Sequence, residues 1–168
     1  FKNRKVSIER EAEMFIFILI IILLLIITIT IFNRCIRYRF LVKEAYSGID
    51  VQLKRRHDLI PKIVDTVKGY TQYESKLLEN VTALRTQASR IEAFKERGAM
   101  ENNLSSVLKN IFAVSEAYPD LKADQNFLEL QKALSEIEDQ LQMARRYYNR
   151  TVRDYNIMIQ SFPGNLVA

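Results

Sequence analysis

The chain has 168 residues, with 25 Lys and Arg against 20 Asp and Glu, for a formal charge of +5. One Cys excludes an internal disulfide and multi-cysteine zinc sites, and one His excludes a His-rich metal centre. Four Gly and three Pro are too few for a turn-rich β-sandwich or barrel, or for a Gly-rich phosphate loop.

Residues 1–13 form a charged arm with four basic and three acidic side chains. Residues 14–32 carry no charge, and Thr28 and Thr30 are their only polar members. As a helix this run is about 28 Å long, close to the roughly 30 Å hydrocarbon core of a bilayer. The sequence that follows, Phe32-Asn33-Arg34-Cys35-Ile36-Arg37, has no small-residue cleavage site, so the run reads as a single-pass anchor and not a removed leader. Cys35 lacks a lipoprotein-type triplet before it and reads as a juxtamembrane thiol without a role, with reversible palmitoylation as the alternative. Lys and Arg are tied across the anchor, four in 1–13 and four in 33–47. The acidic residues of the arm lean the assignment toward a cell-membrane protein with a cytoplasmic soluble domain.

Residues 33–168 read as one helical domain without a low-complexity linker. Gly69 follows a long periodic stretch, and Thr71-Gln72-Tyr73-Glu74 has the form of a capping box. Gly98 is expected to end the second helix, Asn102 or Asn103 to cap a third, Tyr118-Pro119 to close it and Asp124 to cap a fourth. The expected helices are 33–68, 72–97, 103–117 and 125–161, with a kink at Pro61. Each has an apolar stripe, the last running from Phe127 through Leu134, Leu141, Tyr148 and Tyr155 to Phe162. The fold class expected is all-α, a single N-terminal transmembrane helix leading into an antiparallel up-down four-helix bundle.

Charge supports a pairing of the first and last helices. If they run antiparallel, position i faces about 194 − i. Lys54, Arg55 and Arg56 then lie level with Glu136, Glu138 and Asp139, and Glu44 and Asp50 with Arg145, Arg146 and Arg150. Arg56 shares the register of Leu53 and Ile60, which calls for a half-buried guanidinium paired with Glu138 or Asp139. His57 reads as part of this polar inter-helix or partner-facing cluster, because a catalytic or metal role needs converging partners that the composition does not supply.

The segment Ile49-Asp50-Val51-Gln52-Leu53-Lys54-Arg55-Arg56-His57-Asp58-Leu59-Ile60-Pro61, continuing to Gly69-Tyr70, resembles the LemA family. So does Ala144-Arg145-Arg146-Tyr147-Tyr148-Asn149 with Val152, Tyr155-Asn156, Ile159 and Phe162-Pro163-Gly164-Asn165-Leu166, and the resemblance covers roughly 36–168. It implies a helical bundle behind a short N-terminal anchor and no established catalytic activity. It also implies partners such as membrane metalloproteases, with relatives in magnetosome formation. The thirteen-residue charged arm is longer than the family's usual leader, and the chain starts at Phe1 and stops at Ala168, so both ends read as truncated.

No cofactor is expected. Arg34, Arg37, Arg39 and Lys43 fall within a few turns of the anchor, where each contributes about 1 kcal/mol of attraction to anionic headgroups. Residues 58–168 hold 14 basic and 15 acidic side chains, so the pI of 9.3 does not imply a nucleic-acid partner. Tyr147, Asn149 and Asn156 lie off the apolar stripe and form a possible partner seam. The function expected is a non-enzymatic membrane-anchored scaffold or adaptor, homo-oligomeric through its soluble part. The alternative is a regulatory partner of a membrane protease or envelope-stress system.

Overall fold

A computed structural model describes residues 2–71, 74–91 and 94–167; the side chains of 2–9, 11, 12, 94 and 95 are not described. The described residues form five α-helices and no strand: α1 Lys2–Lys68, α2 Ser75–Arg90, α3 Phe94–Ser115, α4 Pro119–Ala123 and α5 Gln125–Gln160. A short 3-10 turn, Gly164–Leu166, follows α5.

The chain divides into two units, one comprising 1–46 and 146–168 and the other 47–145. In the first, the large apolar side chains of residues 14–29 are 43–68% exposed, on a helix long and apolar enough to cross a membrane. The hydroxyls of Thr28 and Thr30 donate to the carbonyls of Leu24 and Ile26 at 2.9 and 2.8 Å, the internal satisfaction an apolar surrounding demands. From Ile31 onward one face of α1 becomes covered, at Ile31, Cys35, Tyr38, Val42 and Ala45. On α5, Tyr148, Thr151, Tyr155, Met158 and Ile159 are half-buried or buried. The Tyr46 and Tyr148 rings meet edge-on with centroids 5.9 Å apart.

In the second unit, residues from all five helices share one core: Ile60, Ile63 and Val67 of α1, Leu78 and Val81 of α2, Leu104, Leu108 and Ile111 of α3, Leu121 of α4 and Phe127 and Leu134 of α5. Each set repeats at three- and four-residue spacing, which places it on one helical face.

Four expectations are corrected here. Gly98 does not end a helix; α2 stops at Arg90, with Ile91 in extended backbone, and Gly98 lies inside α3 with Asn102 and Asn103. Burial of Leu104, Leu108 and Ile111 outweighs the roughly 1 kcal/mol that a helical Gly costs. The capping box does not form, since α2 has Glu74 as its N-cap without a side-chain cap bond, and Gln72 and Tyr73 lie outside the described residues. Pro119 does not merely close a helix but opens α4 as its first residue, a position where its missing N–H costs nothing. Phe162 is not core: α5 ends at Gln160, the helical period lapses, and the ring is 80% exposed.

A Cβ built on Gly98 meets no heavy atom within 4 Å. Gly98→Ala is therefore expected to stabilise the chain by about 0.5–1 kcal/mol through helix propensity alone. A lowered midpoint in thermal unfolding would contradict this account of α3.

Candidate functional site

The most distinctive polar arrangement lies inside the 47–145 unit. Arg56 is fully buried. Its Nη2 donates to the Glu101 backbone carbonyl at 2.9 Å, and its Nη1 lies 3.6 Å from Glu101 Oε2 and 3.2 Å from Glu138 Oε1. Burial pushes the Arg56 pKa down, while the charges of Glu138 and Glu101 oppose that shift. The guanidinium stays charged because its ordinary value is so high. Glu101 is 1% exposed, and its Oε1 is 2.9 Å from His57 Nε2. A carboxylate only accepts, so Nε2 carries the proton. Glu138 is 34% exposed and forms the wet end of the cluster.

Pro61 adds a second component. In a regular helix the N–H of residue 61 would bond the carbonyl of His57, but proline has none. Arg85 of α2 takes that place, its Nε donating to the His57 carbonyl at 2.8 Å. The carbonyl that Pro61 leaves without a backbone donor is thus satisfied, and α1 is one continuous helix through Pro61. The backbone of α1 thus receives a donor from α2 one residue away from Arg56, whose side chain is held by α3 and α5.

Such a cluster can lock helices together, but it is closed to substrates. Its central acid and base are buried against one another, and acid–base catalysis requires a group within reach of the reacting atom. Among the described residues no group of three or more His, Cys, Asp or Glu side chains is arranged to hold a metal.

Of the residues singled out from sequence, the structure gathers Arg56, His57 and Glu138. Lys54, Arg55, Glu136 and Asp139 remain exposed, Arg55 Nη1 donating to Gln52 Oε1 at 3.3 Å. Both Arg56–Glu138 and Tyr46–Tyr148 fall on the 194 − i register. Asp50 departs from the expected charge pattern. Its carboxylate pairs with Arg97 of α3 at 2.8 Å, while Arg150 lies 3.7 Å from Asp154 on its own helix. Arg34, Arg37, Arg39 and Lys43 are exposed, and among the described residues none of the four forms an ion pair; the Arg34 guanidinium sits 5.9 Å from the Tyr38 ring centroid. Tyr147, Asn149 and Asn156 are exposed on α5.

Sequence reasoning missed Glu101, Arg85 and Arg97. Signals existed for the first two: a buried Arg needs more than one half-exposed acid, and a helical Pro leaves a carbonyl four residues back in want of a donor.

A smaller polar contact joins the ends of α1 and α5. Tyr70 Oη donates to Asp124 Oδ2 at 2.7 Å, and the Phe127 backbone N–H donates to Asp124 Oδ1 at 2.8 Å, capping α5. The Tyr70 bond, then the Phe127 N–H, hold the Asp124 carboxyl below its usual range, and the same bond pushes the Tyr70 phenol up. An acid depressed on folding adds stability above its unfolded value and loses it as pH falls through the folded one. Asp124→Ala is therefore expected to lower the unfolding midpoint at neutral pH. That gap from the wild-type chain should close as pH drops below the usual carboxylate range. A gap that stays constant into acid would show that the charge plays no part.

The LemA family profile matches residues 45–168. The chain is 30% identical over 137 residues to Protein LemA of Metamycoplasma hominis, covering 81% of this chain and 63% of that protein. It is 22% identical over 148 residues to the magnetosome proteins MamQ 1 and MamQ 2 of Paramagnetospirillum magneticum, covering 73% of this chain and 54% of each. The chain thus spans less than two thirds of the length of these relatives. With a family match over most of its helical part, the chain belongs to the LemA family.

Proposed function

We propose that this protein is a non-catalytic, membrane-anchored helical scaffold or adaptor that self-assembles at the membrane surface. The observation that carries the reading is the exposed apolar run of residues 14–32, on the same helix that supplies Arg56 and Ile60 to a packed core. Its proposed organisation is an arm 1–13, a single span 14–32 and a helical domain 33–168 on the cytoplasmic side. In that domain α1, α2, α3 and α5 follow one another up and down. Charge pairing of Arg56 with Glu138 supports the antiparallel course of α1 and α5.

Arg34, Arg37, Arg39 and Lys43 would meet anionic headgroups, and Tyr147, Asn149 and Asn156 would face a partner chain. The anchor alone associates weakly, since Ile- and Leu-rich faces gain nothing over lipid and no Gly-x-x-x-Gly is present. Self-association therefore belongs to the helical domain.

Size measurement in detergent, combined with cross-linking and protease accessibility in intact cells, tests the reading. Homo-oligomers that survive removal of the anchor are expected. A strictly monomeric chain would sink the scaffold and favour the regulatory partner of a membrane protease. Cysteines placed at 49 and 145 should cross-link, and efficient 49–110 links without 49–145 links would overturn the helix order.

A further inference from the structure

The first unit contains a feature that neither the family match nor the anchor explains. After α5 the chain turns back on itself at Ser161. The turn is held by backbone bonds, Asn165 N–H to the Ser161 carbonyl at 3.0 Å, Leu166 N–H to the Pro163 carbonyl and Val167 N–H to the Gly164 carbonyl, each at 3.1 Å. Gly164 is buried so closely against α5 that a Cβ would collide with the Met158 carbonyl oxygen, so the turn is fixed on the helix end. This ordered turn nonetheless presents Phe162 at 80% and Leu166 at 72% exposure, with Ile157 beside it at 56%. A groove lined by Ile31, Arg34 and Tyr38 of α1 and by Met158, Phe162 and Gly164 sets the turn level with the end of the apolar run. Ile31 is the first side chain of that run to be half-buried.

We propose that the turn 161–166 is a second membrane contact, in which Phe162 and Leu166 enter the boundary between headgroups and acyl chains next to the anchor. The inference rests on the reading of 14–32 as a span. If those residues fill the hydrocarbon, a turn level with Ile31 and Arg34 meets the interface. Large apolar side chains held there by a rigid turn leave water for lipid, as the apolar face of an interfacial helix does. Arg34 borders the same groove with its cation exposed, where phosphate headgroups lie. Two points of attachment fix the azimuth and tilt of α1 at the surface, which one helix cannot do.

The sequence contains no Trp, so single substitutions report without background. F17W, F162W, L166W and Y147W variants of the 168-residue chain are reconstituted into phosphatidylcholine vesicles with phosphatidylglycerol. Emission is then read with lipids brominated near the head or deep in the acyl chain. F17W should lose intensity to the deep bromines. F162W and L166W should be blue-shifted and lose intensity mainly to the shallow ones. Y147W, about 20 Å along α5 from its last residue, should be insensitive to both. If F17W is quenched while F162W and L166W emit as in water and yield to iodide, the span stands and the second contact is overturned. Blue-shifted emission at 162 that ignores bromolipid would identify a second copy of the chain as the occupant, which also overturns it. Quenching at 147 equal to that at 162 would remove the role of the turn. An unquenched F17W would reject the span itself.

Discussion

Glu101→Ala is expected to destabilise the folded chain by about 3–5 kcal/mol, because it leaves Arg56 fully buried with only a half-exposed acid for company. Such a loss corresponds to a fall in Tm of roughly 10 °C for a chain of this size. The damage comes less from losing an attraction than from stranding a charge: Arg56 Nη1 keeps only Glu138, and His57 Nε2 loses its acceptor. Glu101→Gln retains an acceptor for His57 and should cost less. Glu138→Ala should also cost less, since that carboxylate is 34% exposed and Glu101 remains. The triple replacement Arg56→Met, His57→Leu and Glu101→Leu should recover most of the loss, because a buried ionic group exchanged for packed apolar side chains is often neutral or better. Thermal unfolding of the full chain in detergent, followed by circular dichroism, reads all four. A near-neutral Glu101→Ala would mean that Arg56 finds water in the folded state.

The second large effect concerns the carbonyl of His57. Arg85→Met should cost about 1–3 kcal/mol, the usual penalty for leaving a buried acceptor unbonded. The same substitution in a Pro61→Ala background should cost clearly less, since residue 61 then has an N–H aimed at that carbonyl. The test is a double-mutant cycle on unfolding free energies, in which strong coupling is expected between two residues 24 positions apart in sequence. Additive effects would show that Arg85 acts through packing of its stem alone. A loss of helicity at Pro61 in Arg85→Met would show in addition that α2 keeps α1 continuous there.

These effects also separate what was legible in the sequence from what was not. Helix content, the apolar run and the long stripe of α5 are periodic signals tens of residues long, and such signals survive averaging over local uncertainty. Of the charge pairs expected between α1 and α5, Arg56 with Glu138 forms, while Asp50 pairs with Arg97 of α3 instead. Boundaries fared worse. Gly98 has the composition of a terminus yet sits inside α3, since a helix interior tolerates one Gly when its other face is buried. The five residues of α4 span too little of a helical period to register, although Leu121 is fully buried.

By itself the sequence determined a basic, all-helical chain with one candidate membrane helix, and it placed Arg56 on an apolar register. Those properties follow from composition and spacing, which need no knowledge of neighbours. Only the tertiary structure decided that Glu101 and Arg85 complete the surroundings of Arg56, His57 and Pro61. They come from α3 and α2, 45 and 24 positions from Arg56 and Pro61, and nothing local marks a Glu or an Arg on those helices as inward-facing. The same holds for Phe162. Its spacing continues the stripe of α5, but the helix ends two residues earlier, and the turn carries the ring outward instead of into the core.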